Sequence, residues 1–105
     1  MEMVRAILRP NGIERVVCAL EEAGFVSMTK MSVYGRGKQK GIKVGDIQYD
    51  ELPKTMLMFV VNGRDTQRLI DTIVKTANTG NFGDGKIFIS PVDAVYTIRT
   101  GESGL

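Results

Sequence analysis

A chain of 105 residues fits a single domain that is large enough to bury a core without staples. With 43% hydrophobic residues, 25% charged residues and a net charge of +2, it has the balance of a soluble globular protein, and its charge is too small to point to nucleic acid. Cys18 is the one cysteine and histidine is absent, which excludes an internal disulfide, a zinc site and a histidine-based triad.

The start, Met1-Glu2-Met3-Val4-Arg5, has no basic stretch followed by a long apolar run, and no segment approaches the roughly 20 apolar residues of a membrane span. The expected location is the cytoplasm, with no membrane insertion. Residues 3 to 9 read as a first strand, with Val4, Ala6 and Leu8 on one face and Met3, Arg5, Ile7 and Arg9 on the other. Pro10 ends it. Asn11 is placed to cap a helix in which Ile13, Val16, Val17 and Leu20 recur on one face, and Gly24 is placed to stop it. Cys18, beside that stripe, reads as a small buried hydrophobe.

A second strand is predicted from Ser27 to Gly35. Residues 36 to 54 then carry glycines at 37, 41 and 45 and frequent charges without a sustained period, the pattern of a long, mobile connection, and loops of this length are usually functional or disordered. Thr55 to Val61 is apolar on both alternating faces, as in a strand covered on both sides. Asp65 can cap a second helix through Ala77, with Leu69, Ile70, Ile73, Val74 and Ala77 inward. After the loop at 79 to 86 comes a strand to Ser90, a turn at Pro91-Val92-Asp93 and a short extended stretch from Ala94 to Arg99.

The order is β-α-β-β-α-β, which predicts a ferredoxin-like α+β sandwich over residues 1 to 105 with a short extra C-terminal strand. Two helices cover one face of such a sheet. The second apolar face of Met56-Leu57-Met58-Phe59-Val60-Val61 therefore needs another cover, and a second subunit supplies one.

Three glycines, a carboxylate and a lysine are concentrated in Thr79-Gly80-Asn81-Phe82-Gly83-Asp84-Gly85-Lys86. Glycines let backbone approach a ligand, successive amides form an anion-binding concavity, and lysine supplies positive charge, so a phosphate cradle is the first expectation. It is not a P-loop. Ile87 stands where that motif needs Ser or Thr, and the segment runs from helix to strand. A second concentration, Gly35-Arg36-Gly37-Lys38-Gln39-Lys40-Gly41, lies at the end of a different strand, and ligands sit where such loops converge.

Several ordered motifs carry a family resemblance. Thr79-Gly80 with Gly83-Asp84-Gly85-Lys86-Ile87-Phe88, then Pro91-Val92 and Ile98-Arg99-Thr100-Gly101-Glu102, resemble the C-terminal signature of the PII (GlnB-like) nitrogen regulatory proteins. Gln39-Lys40-Gly41 and Leu52-Pro53-Lys54 resemble the two ends of that family's T-loop, here 36 to 54, and Arg5-Ala6-Ile7-Leu8-Arg9-Pro10 is similar to its start. The resemblance implies a trimer that binds ATP or ADP between subunits, and 2-oxoglutarate together with Mg-ATP. By this resemblance Gly83, Asp84, Gly85 and Lys86 would hold the phosphates, helped by Lys38 and by Arg99 of a neighbouring subunit. Ile7, Thr29, Gly35, Gly37, Val60 and Thr79 would line the nucleotide pocket. Gln39 would coordinate Mg, and Lys54, with Lys40, Gly41 and Gly83, would receive 2-oxoglutarate.

Lys38 and Thr97 stand where the family usually has arginines, and the T-loop is shorter than in the enteric type, without a clear counterpart of its modified tyrosine. The short loop resembles the nitrogenase-associated branch of methanogenic archaea, which acts on dinitrogenase alongside a second PII-like paralogue. That implies a non-enzymatic sensor, as a homotrimer or a hetero-oligomer with the paralogue; an ammonium transporter or glutamine synthetase is the alternative target. Two other classes share parts of the pattern. A small ATPase lacks an evident nucleophile or base outside Asp84 and the loop acids, and an RNA-binding module would need more aromatics on its central strands than Phe59 and Phe88.

Overall fold

The computed structural model describes residues 1–38, 42–49 and 51–105, with Tyr49 described for its backbone alone. Its elements are β1 (Glu2–Leu8), α1 (Ile13–Glu22), β2 (Thr29–Gly35), β3 (Ile42–Val44), β4 (Ile47–Tyr49), β5 (Leu52–Val61), α2 (Gly63–Ala77) and β6 (Gly85–Pro91). Four of the strands form one antiparallel sheet in the order β2-β5-β1-β6, the topology expected of a ferredoxin-like α+β fold.

Period-2 alternation in β1 and β5 sends Val4, Ala6, Leu8, Leu57, Phe59 and Val61 to one face, where all six are buried. Val16 and Leu20 of α1 and Leu69 and Ile73 of α2 close over them, and Phe25 completes the cluster. Each of the Val, Leu, Ile and Phe side chains contributes about 1.5–3 kcal/mol when fully buried. The other face carries Met3, Arg5 and Ile7 of β1, Met31 of β2, Met56, Met58 and Val60 of β5, and Phe88 of β6. It is only partly buried along β5. Among the described residues no helix is long and apolar enough to cross a membrane.

Several boundaries differ from the sequence expectations. Helix α1 is capped by Gly12 in the left-handed conformation (φ 82°), not by Asn11, because the Gly12 carbonyl takes the first helical amides. At its other end the Phe25 amide bonds Leu20 O at 2.8 Å and Gly24 has φ 94°, the stop expected at Gly24. Helix α2 starts at Gly63 after Asn62, so Asp65 lies in its first turn and pairs with Arg68 at 3.4 Å rather than capping it. Cys18 is exposed on the outer side of α1, because the stripe of Ile13, Val16, Val17 and Leu20 takes the face turned to the core. Val74 is 48% exposed for the same geometric reason on α2.

Two further corrections concern the ends of the connections. The segment 36 to 54 is not structureless: β3 and β4 pair as a hairpin through Gly45-Asp46, and β5 begins at Leu52. Ala94 to Arg99 adds no strand to the sheet. The chain doubles back on itself there, with Thr97 N bonding Glu102 O at 2.9 Å and a single bridge between Tyr96 and Ser103.

Candidate functional site

Between α2 and β6 the chain must reverse over Asn78 to Asp84, and it does so around the Asp84 carboxylate. Asp84 Oδ2 accepts the amides of Thr79 (2.8 Å) and Gly80 (3.0 Å), and Oδ1 accepts the Thr79 hydroxyl. Asn78 Oδ1 also accepts the Gly80 amide at 2.8 Å, and Gly80 and Gly83 take φ of 80° and 93°. The Thr79 hydroxyl and amide, then the Gly80 amide and Arg9, pull the Asp84 carboxyl down to about 2, against a smaller upward push from desolvation.

Two cations lie over the far side of this loop. Arg9, immediately after β1, donates from Nη2 to Phe82 O at 2.6 Å and from Nε to Asp84 Oδ1 at 3.3 Å. Lys54, near the start of β5, donates from Nζ to Gly83 O at 2.9 Å. Burial, and next the Arg9 charge, lower the Lys54 pKa, while Asp84 works the other way. Lys86 stands opposite Ile7 in the β1–β6 ladder, on the sheet face turned away from the helices. Arg9 and Lys54 approach one carboxylate, Asp84, which the loop itself occupies, and with Lys86 two residues further along the chain the surplus of positive charge at this end of the sheet suits an anion.

Of the residues singled out in the sequence, Ile7, Lys54, Thr79, Gly83, Asp84, Gly85 and Lys86 are brought to this one end of the sheet. Gly35 joins them: it pairs with Leu52, and a Cβ on it would stand 3.9 Å from Lys54 Cγ. The Asp84 carboxylate is taken up in closing the loop through Thr79 and Gly80. Thr29 and Val60 are not brought there. Val60 lies four residues along β5 from Met56, the partner of Ile7, or about 13 Å away. Thr29 pairs with Met58 on the β2 edge. Gly37 and Lys38 are exposed beyond the end of β2, and Arg99 is exposed in the C-terminal turn. Gln39, Lys40 and Gly41 lie outside the described residues.

Arg9 was legible only as the end of a strand, although its position before Pro10, where β1 runs out toward the loop, could have marked it. Among the described residues no group of three or more His, Cys, Asp or Glu side chains could hold a metal ion. Phe59 is buried in the core, so of the two aromatics considered for RNA stacking Phe88 alone lies on the open face.

The sequence profile of the family described as Nitrogen regulatory protein P-II matches residues 1–102. A protein of Methanococcus maripaludis described as "Nitrogen fixation nifHD region glnB-like protein 1" is 61% identical over 105 residues, spanning all of both chains. One of Methanosarcina barkeri, "Nitrogen fixation nifHD1 region GlnB-like protein 1", is 55% identical over the same full span. "Nitrogen regulatory protein P-II 2" of Methanothermobacter thermautotrophicus is 52% identical over 108 aligned residues, covering 99% of this chain and 94% of that one. The chain therefore belongs to the P-II family of nitrogen regulatory proteins, in the nifHD-region GlnB-like branch of methanogens.

Proposed function

We propose that this protein is a non-enzymatic sensor of nitrogen status that binds ATP or ADP between subunits, takes up 2-oxoglutarate with Mg-ATP, and acts on its target through residues 36 to 54. The observation that carries this reading is the bond from Lys54, at the stem of that segment, to Gly83 in the glycine loop. A ligand that engages either partner is felt by the other.

The residues present suit the ligands. Cations exceed carboxylates around Gly83, which favours phosphate and a dicarboxylate. Magnesium would arrive with the nucleotide and be held by Gln39. The separation of Thr29 and Val60 from Ile7 and Lys86 supports a nucleotide site shared between two copies: the first pair of one subunit would face the second pair of its neighbour. The partly buried open face of β5 supports the same assembly, a homotrimer or a hetero-oligomer with a second P-II-like chain. The names of the relatives place them in nifHD regions, which favours a nitrogenase component as target over an ammonium transporter or glutamine synthetase.

Each ligand shifts the segment 36 to 54 only by its difference in affinity between the segment's states. Calorimetry of the purified protein with Mg-ATP and with ADP, then with 2-oxoglutarate added to the Mg-ATP complex, tests the sensor reading. Binding of 2-oxoglutarate that requires Mg-ATP is expected; no heat from either ligand at physiological concentration would sink it. Co-purification from nitrogen-fixing cells, with dinitrogenase retained in the nitrogen-replete state, tests the target.

A further inference from the structure

Both cations that approach the glycine loop meet at Gly83. Lys54 bonds its carbonyl, and the Arg9 guanidinium lies beside its Cα, where a Cβ on Gly83 would stand 3.1 Å from Nη2 and 3.4 Å from Cζ. The same guanidinium bonds the residues on either side, Phe82 through its carbonyl and Asp84 through its carboxylate. Arg9 thus grips three consecutive residues, and neither the sequence pattern nor the family resemblance assigned it a role.

We propose that Arg9 is a positioning residue: it holds Phe82, Gly83 and Asp84 so that the Gly83 carbonyl meets Lys54, tying the stem of residues 36 to 54 to the glycine loop. The coupling to ligands rests on the sensor reading above, whereas the positioning stands without it.

Gly80, Gly83 and Gly85 all have positive φ, and glycine backbone has many alternatives to any one conformation, so where the Gly83 carbonyl points is decided by what fastens its neighbours. Asp84 fastens the start of the loop through Thr79 and Gly80. Arg9 fastens its end to β1. An anionic ligand that takes Lys54 must draw it from Gly83 while Arg9 keeps the loop in place, so the displacement is delivered to the stem of 36 to 54. Lysine cannot replace Arg9 fully, because a single ammonium lacks the fork that reaches Phe82 O and Asp84 together.

Arg9→Gln and Arg9→Lys in the full chain test this. In the ligand-free protein, amide hydrogen exchange at Thr79 and Gly80 is expected to be about tenfold faster in Arg9→Gln, with Ala6 and Leu57 unchanged and Arg9→Lys intermediate. By calorimetry, 2-oxoglutarate in the presence of Mg-ATP is expected to bind about tenfold more weakly to Arg9→Gln, again with Arg9→Lys between. Unchanged exchange at Thr79 and Gly80 overturns the positioning. Faster exchange with unaltered affinities overturns the coupling, since a merely structural role lowers Tm alone. A wild-type protein that binds neither ligand overturns the sensor reading and the coupling with it, while the exchange result still decides the positioning. Should Arg9→Gln fail to fold, Arg9→Lys carries both comparisons.

Discussion

A Cβ added at Gly85 would stand 1.8 Å from the carbonyl oxygen of Ile7, so β1 and β6 meet where only glycine fits. Gly85 also has φ 110°, which L side chains rarely adopt. Gly85→Ala must open the first rungs of the β1–β6 ladder, and a loss of about 4 kcal/mol or more is expected in urea unfolding. Gly80→Ala is the control. Gly80 shares the positive φ but has nothing within 4 Å of its Cβ position, so about 1–2 kcal/mol is expected. Equal losses for the two variants would remove the close approach as the cause.

Asp84 gives the protein an acid-sensitive loop. Its folded value of about 2 lies below the ordinary 3.8, so the ionised carboxylate favours the folded loop. That contribution is complete above the ordinary value and is lost as pH falls toward 2. Thermal melts of wild type should therefore steepen between pH 4 and 2 more than those of Asp84→Asn, which has no charge to lose. Thr79→Val, which deletes the largest cause of the shift, should move the Asp84 titration upward in NMR. Parallel acid limbs for wild type and Asp84→Asn would contradict this account.

Lys54 has the opposite relation to stability. Burial and the nearby Arg9 charge depress its pKa below 10.5, so protonation is less favourable in the folded chain, and stability should rise as pH climbs through the depressed value toward 10.5. Lys54→Met removes that penalty together with one half-exposed hydrogen bond. Its Tm at neutral pH should stay within a few degrees of wild type, and its alkaline rise should vanish. On the sensor reading it should still bind Mg-ATP, yet give no heat with 2-oxoglutarate. Retained 2-oxoglutarate binding in Lys54→Met would place the effector elsewhere.

What the sequence disclosed follows the range of the interactions. Val4, Ala6 and Leu8 were readable because alternation is local, whereas the run Met56 to Val61, apolar on both faces, did not show that Leu57 and Phe59 are the ones turned to the core. The β3–β4 hairpin carried its own signal, Ile42-Lys43-Val44 and Ile47-Gln48-Tyr49 flanking the two residues Gly45-Asp46, but the surrounding glycines and charges masked it. The part Asp84 plays in closing the loop was not readable, because its bonds to Thr79 and Gly80 exist only once the loop has closed. The Arg9–Asp84 contact joins residues 75 apart in sequence, and no periodicity reports such a pair. The meeting of Lys54 with Gly83 was foreshadowed only by the resemblance, which placed both at one ligand.

The open face of the sheet offers the sharpest test of assembly. Met56 is partly buried in the single chain and lies in one ladder row with Met31, Ile7 and Lys86, facing away from both helices. If a second copy covers this row, a carboxylate at position 56 would be desolvated on association, at several kcal/mol per interface, whereas in the lone chain it keeps access to water, two strands from Lys86. Met56→Asp should therefore keep the circular dichroism of a folded protein and sediment as a monomer, whereas wild type is expected to sediment as a trimer. Nucleotide affinity should fall with assembly, because Ile7 and Lys86 would no longer meet Thr29 and Val60 of a neighbour. A folded Met56→Asp variant that remains a trimer would mean that the open face is covered by something other than a second copy packed on this row.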